Sequence, residues 1–110
     1  METRQAIAAL GALAQESRLA VFRLLVRAGP EGMAASKIAE QVGIAPSSLS
    51  FHLKELSIAG LVAARQEGRF VIYSASFDAM NALIGFLTDN CCGGAPCSPA
   101  SACAAEDAKA

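Results

Sequence analysis

The sequence has no long apolar run, almost no net charge and no cysteine before residue 91. Its net charge at pH 7 is −1, and residues 1–90 carry eight basic and eight acidic side chains. A strongly basic domain would indicate nucleic acid, so net charge alone gives no reason to expect that partner. No apolar run approaches the roughly 18 residues that span a bilayer, and we therefore expect no membrane partner.

The sequence also lacks the side-chain arrangements that catalysis needs. It contains no paired nucleophile and general base and no glycine-rich phosphate loop, and its single histidine is His52. We therefore expect no enzymatic activity, no small-molecule substrate and no organic cofactor.

The cysteines are concentrated in one stretch of thirteen residues near the C-terminus. Residues 91–110 contain seven alanines, two glycines, two prolines and no large apolar residue, so this segment cannot pack a core. The chain is therefore expected to consist of a folded domain, residues 1–90, and a flexible tail, residues 91–110. Clustered cysteines are more often ligands or sensors than disulfides in a reducing compartment, and we expect a cytoplasmic protein.

Apolar residues recur at helical spacing through the first 60 positions and predict four helices. The first runs from about residue 4 to residue 15, and Ser17 is predicted to cap the second. The third is short and ends at Gly43, and Pro46 is typical of the first turn of a fourth. The inward face of this fourth helix is predicted to consist of Leu49, Leu53 and Leu56.

The apolar period then changes to that of strands. Residues 61–66 and 69–74 are strand-like and flank Glu67 and Gly68, which predict a tight hairpin. Ser76 is predicted to cap a last helix, whose apolar face consists of Phe77, Met80, Leu83, Ile84 and Leu87. The expected fold is mainly α with a β-hairpin, in the order of a winged helix-turn-helix. Because so small a core is lean for a monomer, we expect the last helix to pair with a second copy.

Eight side chains are candidates for contact with double-stranded DNA. Those of the fourth helix lie on or beside its outer face and are mostly short, polar or cationic, as is typical of recognition helices. Two arginines flank the hairpin tip, where they can meet the DNA backbone or minor groove. Some have a structural alternative, which is helix capping for Ser47, core packing for His52 and solvated strand ends for the two arginines. The candidates are Ser47, Ser48, Ser50, Phe51, His52, Lys54, Arg65 and Arg69.

Taken together, these segments resemble the ArsR/SmtB family of arsenic-responsive repressors over about residues 5–90. The resemblance rests on LSFHLKEL from Leu49, RQEGR from Arg65, Tyr73, and ESRL from Glu16. It implies a homodimeric bacterial repressor that places one recognition helix on each half-site of operator DNA, with its first and last helices at the dimer interface. Phe51 departs from the long polar or basic residue expected at its position, so contact with a thymine methyl is the alternative to hydrogen-bonded readout there.

The inducer site is predicted in the cysteine-rich tail. Other sites of this family use cysteines of the recognition helix or histidines and carboxylates of the last helix, but here the fourth helix has no cysteine and the last has no histidine. The tail resembles that of arsenic repressors with a C-terminal Cys-Cys pair and a third cysteine shortly after. The resemblance implies that trivalent arsenic, or antimonite, acts as inducer on three thiolates, those of Cys91, Cys92 and Cys97.

Several alternatives for the tail remain open. Cys103 can replace Cys97 as third ligand or join it around zinc, although adjacent cysteines suit a zinc tetrahedron less well than spaced pairs. The same thiols can make the protein a thiol redox-sensing repressor. From a different class, the chain can be a soft-metal carrier or sequestering protein, for which the helix-turn-helix is only a scaffold.

Overall fold

The elements follow one another in the predicted order, with one short strand added. The computed structural model describes residues 1–89 and residue 93. Within those residues no helix is both long enough and apolar enough to cross a membrane. The fold is mainly α with a β-hairpin wing, as predicted, and its elements are α1 (Thr3–Leu13), α2 (Glu16–Ala28), β1 (Met33–Ala34), α3 (Ala35–Val42), α4 (Pro46–Ile58), β2 (Val62–Glu67), β3 (Phe70–Ala75) and α5 (Phe77–Leu87).

One layer of apolar side chains joins the helices to the sheet. The predicted inward leucines of α4 are all buried, and Leu53 is only 2% exposed. They meet buried side chains from every helix and from the two longer strands. The buried core consists of Ala6, Ala9, Ala12, Val21, Phe22, Leu25, Ile38, Ala39, Leu49, Leu53, Leu56, Leu61, Val62, Ala75 and Leu83.

The first helix packs through alanines rather than through its large side chains. Ala6, Ala9 and Ala12 are buried, because small side chains let α1 lie close to α2 and α4. Ile7 and Leu10, two large apolar side chains of this helix, point outward instead. The helix is thus confirmed, but its own domain does not bury its largest apolar groups.

The predicted cap of α2 is wrong by two residues. Ser17 lies inside the helix, and Gln15 is the N-cap residue, with its side-chain Oε1 accepting a hydrogen bond from the backbone N–H of Arg18 at 2.9 Å. Residues that commonly cap a helix are shorter. The longer Gln15 side chain makes the same bond here, and the usual residue preferences at the N-cap position do not predict it. The predicted cap of α5 is confirmed, since Ser76 accepts a hydrogen bond from the N–H of Ala79.

The sheet is antiparallel in the order β1-β3-β2. Both hairpin strands begin and end one residue later than predicted, and Gly68 forms the turn. The sequence did not reveal β1, a two-residue strand that depends entirely on pairing with distant β3. Gly32 just before it has a positive φ, and a Cβ there would collide with the carbonyl oxygen of Tyr73. Glycine is therefore required where the chain joins the sheet.

Candidate nucleic-acid interface

The turn between α3 and α4 presents α4 at the surface. Gly43 ends α3 in the left-handed conformation, as predicted, and its N–H bonds to the carbonyl of Ala39. The N–H of Ile44 reaches the same carbonyl. Because Ala39 is small and buried, the two helices approach closely, and α4 starts at Pro46 with its outer side uncovered.

Three serines form the exposed start of α4. Ser47, Ser48 and Ser50 all lie on the surface around buried Leu49. The N-cap position belongs to Ala45, and no side chain caps this helix. The serine hydroxyls are thus not used in capping α4, which removes the capping alternative for Ser47 and leaves the hydroxyls available to a ligand.

The middle of α4 carries the other candidates of this helix. Phe51 is 55% exposed, and Lys54 one turn later is exposed too. His52 is half-buried against Phe51, with ring centroids 5.8 Å apart in an edge-to-face arrangement. Its Nδ1 is buried without a hydrogen-bond partner among the described residues. The ring is therefore packed, but the hydrogen-bonding capacity of Nδ1 is not satisfied within the described domain.

A cation from another helix joins this group. The guanidinium carbon of Arg18, in the first turn of α2, lies 6.0 Å from the centroid of the Phe51 ring. Its Nε is buried and has no hydrogen-bond partner in the described part of the chain. The sequence indicates Arg18 only as part of the run ESRL from Glu16, because a contact between α2 and α4 across 33 positions leaves no periodic signal.

The two candidate arginines of the wing differ in what they contact. Nε of Arg65 lies 2.7 Å from the Glu67 carboxylate, and Nη2 donates to the backbone carbonyl of Glu31 at 2.6 Å. Arg65 therefore ties the wing to the connection between α2 and β1. Arg69 is exposed beside the turn residue Gly68. The structure thus assigns one arginine to holding the wing and presents the other at its tip.

An apolar stripe lies outside the polar surface of α4. We call Ile7 and Leu10 of α1 and Ile84 and Leu87 of α5 the α1/α5 stripe. The two helices contact each other, and all four of these side chains are exposed, with Ile7 at 64% and Leu87 at 58%. Of the predicted apolar face of α5, only Leu83 is fully buried.

The predicted inducer ligands, Cys91, Cys92 and Cys97, lie outside the described residues, as does Cys103. Among residues 1–89, no three histidine, cysteine, aspartate or glutamate side chains are grouped so that they could hold a metal ion. Residues 1–89 therefore present the polar outer side of α4 and the exposed α1/α5 stripe, and they contain no such group of metal ligands.

Comparison with known proteins shows which family the chain resembles. Residues 13–65 match the family model described as a helix-turn-helix domain. The chain is 38% identical over 80 residues to the nodulation protein NolR of Rhizobium meliloti, over 73% of this chain and 63% of NolR. It therefore spans less than two thirds of that relative's length.

Among solved structures, a homodimeric winged helix-turn-helix DNA-binding domain from Mycobacterium bovis is described as a possible ArsR-family transcriptional regulator. It superposes with a TM-score of 0.64 at 30% identity, over 79% of this chain and 81% of that one. This chain belongs to the ArsR family. A structure described as a possible transcriptional regulator for arsenical resistance superposes with a TM-score of 0.63 at 26% identity, over 72% and 79% of the two chains. The names of these two solved structures describe transcriptional regulators and no enzyme.

Proposed function

We propose that this ArsR-family chain is a homodimeric repressor that binds double-stranded operator DNA and is released when trivalent arsenic or antimony binds its C-terminal thiolates. The observation that carries the DNA-binding half is the start of α4, where three exposed serines surround a buried leucine and cap nothing. Hydroxyls on a recognition helix that are not used in capping it can form hydrogen bonds to phosphates and base edges.

The cations around α4 fit the same partner. Lys54 lies on the outer side of α4, and Arg69 lies at the tip of the wing, so both are exposed. Neither contact requires the domain to be basic overall, because affinity for DNA depends on the few cations that lie against phosphates. A net charge of −1 is compatible with DNA binding if these cations share one face.

The α1/α5 stripe supports the dimer. Four large apolar side chains on two adjoining helices lose their contact with water if a second copy covers them, and the buried core of the described residues contains only eight Leu, Ile or Phe residues. The solved relative from Mycobacterium bovis is a homodimer, which supports the same assembly here. A two-fold dimer would place two α4 helices on an inverted repeat, with half-sites about one helical turn or more apart.

The inducer half rests on the sequence after α5. Cys91 and Cys92 follow the helix almost at once, and four small or turn-forming residues separate them from Cys97. Three thiolates suit a trivalent arsenic or antimony ion, which keeps a lone pair in the fourth direction. The relative named for arsenical resistance supports this choice of ion.

Release follows from the position of the thiols. An ion that tethers the end of α5 would alter the helix that carries half of the α1/α5 stripe, and thereby the spacing of the two α4 helices. Such coupling requires the ion to bind the free dimer more tightly than the DNA-bound dimer, and a coupling free energy of about 1–3 kcal/mol is typical.

A gel-shift titration of the reduced protein on its operator tests the proposal. Arsenite and antimonite should release the DNA, whereas zinc, cadmium and peroxide should act weakly or not at all. Release by peroxide but not by arsenite would instead favour the redox-sensing repressor. Failure to bind any DNA sequence would instead favour a function as a soft-metal carrier or sequestering protein.

Variants of the tail locate the sensor. Cys91→Ser, Cys92→Ser and Cys97→Ser should still repress but lose the response to arsenite, and Cys103→Ser is the matched control that should respond nearly normally. A chain truncated after Asn90 should bind DNA at every arsenite concentration. If arsenite still displaces the truncated chain, the tail is not the sensor.

A further inference from the structure

Arg18 is a cation that the proposed DNA interface does not yet use. It begins on α2, yet its guanidinium lies against Phe51, the large exposed side chain at the middle of α4. The residue is half-buried, and no carboxylate of the described residues lies within ion-pair distance of it. A partly buried cation without a partner is costly unless something outside the domain completes its hydrogen bonds.

Two local features fix the position of Arg18. The Gln15 side chain accepts a hydrogen bond from the Arg18 backbone, which holds the first turn of α2. Arg18 lines a depression between α1, α2 and α4, together with Glu55 and Ile58 of α4. The guanidinium therefore lies along the side of α4, near Phe51.

Phe51 gives this placement a use. An arginine can stack one face of its guanidinium on an aromatic ring while N–H groups at its edge bond to a phosphate. The phenyl ring cannot bond to phosphate itself, although it occupies a central position on the outer side of α4. Together, Phe51 and Arg18 supply an apolar support and a cation at one place on the surface.

We propose that Arg18 contacts a DNA phosphate beside α4 and that Phe51 positions its guanidinium for that contact. The inference rests on the proposed function, since it concerns the same DNA surface. It adds a contact from α2 to those of α4 and the wing, and it gives Phe51 a positioning role in place of direct hydrogen-bonded readout.

The experiment measures how the affinity of the full chain for DNA depends on salt. The probe is a duplex of ~30 base pairs, about three turns of DNA, selected by the unaltered protein from a random-sequence pool. Each lost phosphate contact lowers the slope of log affinity against log salt by about 0.9. A dimer of Arg18→Gln should therefore have a slope smaller by about 1.8. Its affinity disadvantage at about 50 mM salt should shrink roughly tenfold by 200 mM.

Matched variants separate this contact from a structural role. Arg18→Lys keeps the charge and should retain most of the slope, and Phe51→Leu should lower affinity without changing the fold. Arg27→Gln is the control, because Arg27 lies on α2 about two and a half turns later, at about 3.6 residues per turn, and points the opposite way. Arg18→Met, with an apolar stem, replaces Arg18→Gln if the latter does not fold.

The outcomes are distinct. A slope unchanged in both charge-free variants, with only thermal stability lowered, would overturn the inference and assign Arg18 to packing against Glu55. An equal loss of slope in Arg27→Gln would also overturn it, because the effect would then be one of overall charge. If the unaltered protein selects no DNA at all, the proposed function fails and this inference fails with it.

Discussion

The helices α4 and α5 divide their side chains between core and surface in opposite ways. α4 buries Leu49, Leu53 and Leu56 and exposes serines and a lysine, so its apolar face is completed within its own domain. α5 buries only Leu83 and exposes Ile84 and Leu87. The first pattern leaves a surface for a polar partner, and the second leaves an apolar surface that a second copy can cover.

The largest expected effect concerns the buried side of α4. Leu53→Ala should lower the free energy of unfolding by about 2–5 kcal/mol, since it removes a buried side chain and leaves a cavity. Phe51→Ala, two positions earlier on the exposed side, should cost about 1 kcal/mol or less. Chemical denaturation of both variants checks this difference. Equal losses would mean that Phe51 is part of the core.

A charge in the α1/α5 stripe should affect assembly rather than DNA contact. Ile84→Lys should weaken the dimer at least a hundredfold, about 3 kcal/mol, or unfold the chain, because a lysine would be buried between apolar surfaces. Asp78→Lys places the same side chain about 120° around α5 and is the control. A stable Ile84→Lys dimer with an unaltered dissociation constant, measured by analytical ultracentrifugation, would refute this interface.

Removing hydroxyls from the start of α4 should have a smaller effect. It should change the affinity for DNA and leave the dimer intact. Ser48→Ala combined with Ser50→Ala should weaken operator binding by about 1–3 kcal/mol, the scale of lost specific contacts. Ser57→Ala, at the other end of the same helix, should leave affinity unchanged because recognition helices read bases through their N-terminal residues. Fluorescence anisotropy with labelled operator gives the affinities. Unaltered binding in the double variant would move the reading surface elsewhere.

Substitution of the two wing arginines should have the smallest effect on DNA affinity. Arg69→Ala should weaken binding uniformly across DNA sequences and flatten the salt slope by about 0.9 per contact. Arg65→Ala should instead loosen the wing, because Arg65 bonds to Glu67 and to the carbonyl of Glu31. Salt titrations of both variants on one duplex make the comparison. An equal flattening in Arg65→Ala would return Arg65 to the DNA-contacting set.

Sequence patterns predicted the parts of this fold that depend on neighbouring residues. The leucine spacing of α4, the end of α3 at Gly43 and the cap of α5 by Ser76 are local, and all three are confirmed. Apart from the cap of α2, which is Gln15 and not Ser17, the parts that failed depend on distant contacts. β1 exists only through its pairing with β3, and α1 packs through alanines because of the helices that it meets.

The candidate site divides in the same way. The exposed serines and Lys54 follow from helical periodicity, so their placement could be predicted. The engagement of Arg65 with Glu31 and the approach of Arg18 to Phe51 join residues about 33 positions apart or more, which periodicity does not encode. The inducer thiols remain a prediction from their spacing, since they lie outside the described residues.

The central claim is that two copies, joined through the α1/α5 stripe, present two α4 helices to one DNA duplex. Light scattering of the full chain, alone and with the selected duplex of ~30 base pairs, tests it most directly. The account predicts a dimer in both cases, with two chains on each duplex. A single chain on each duplex, or a dimer that leaves the duplex free, would contradict it.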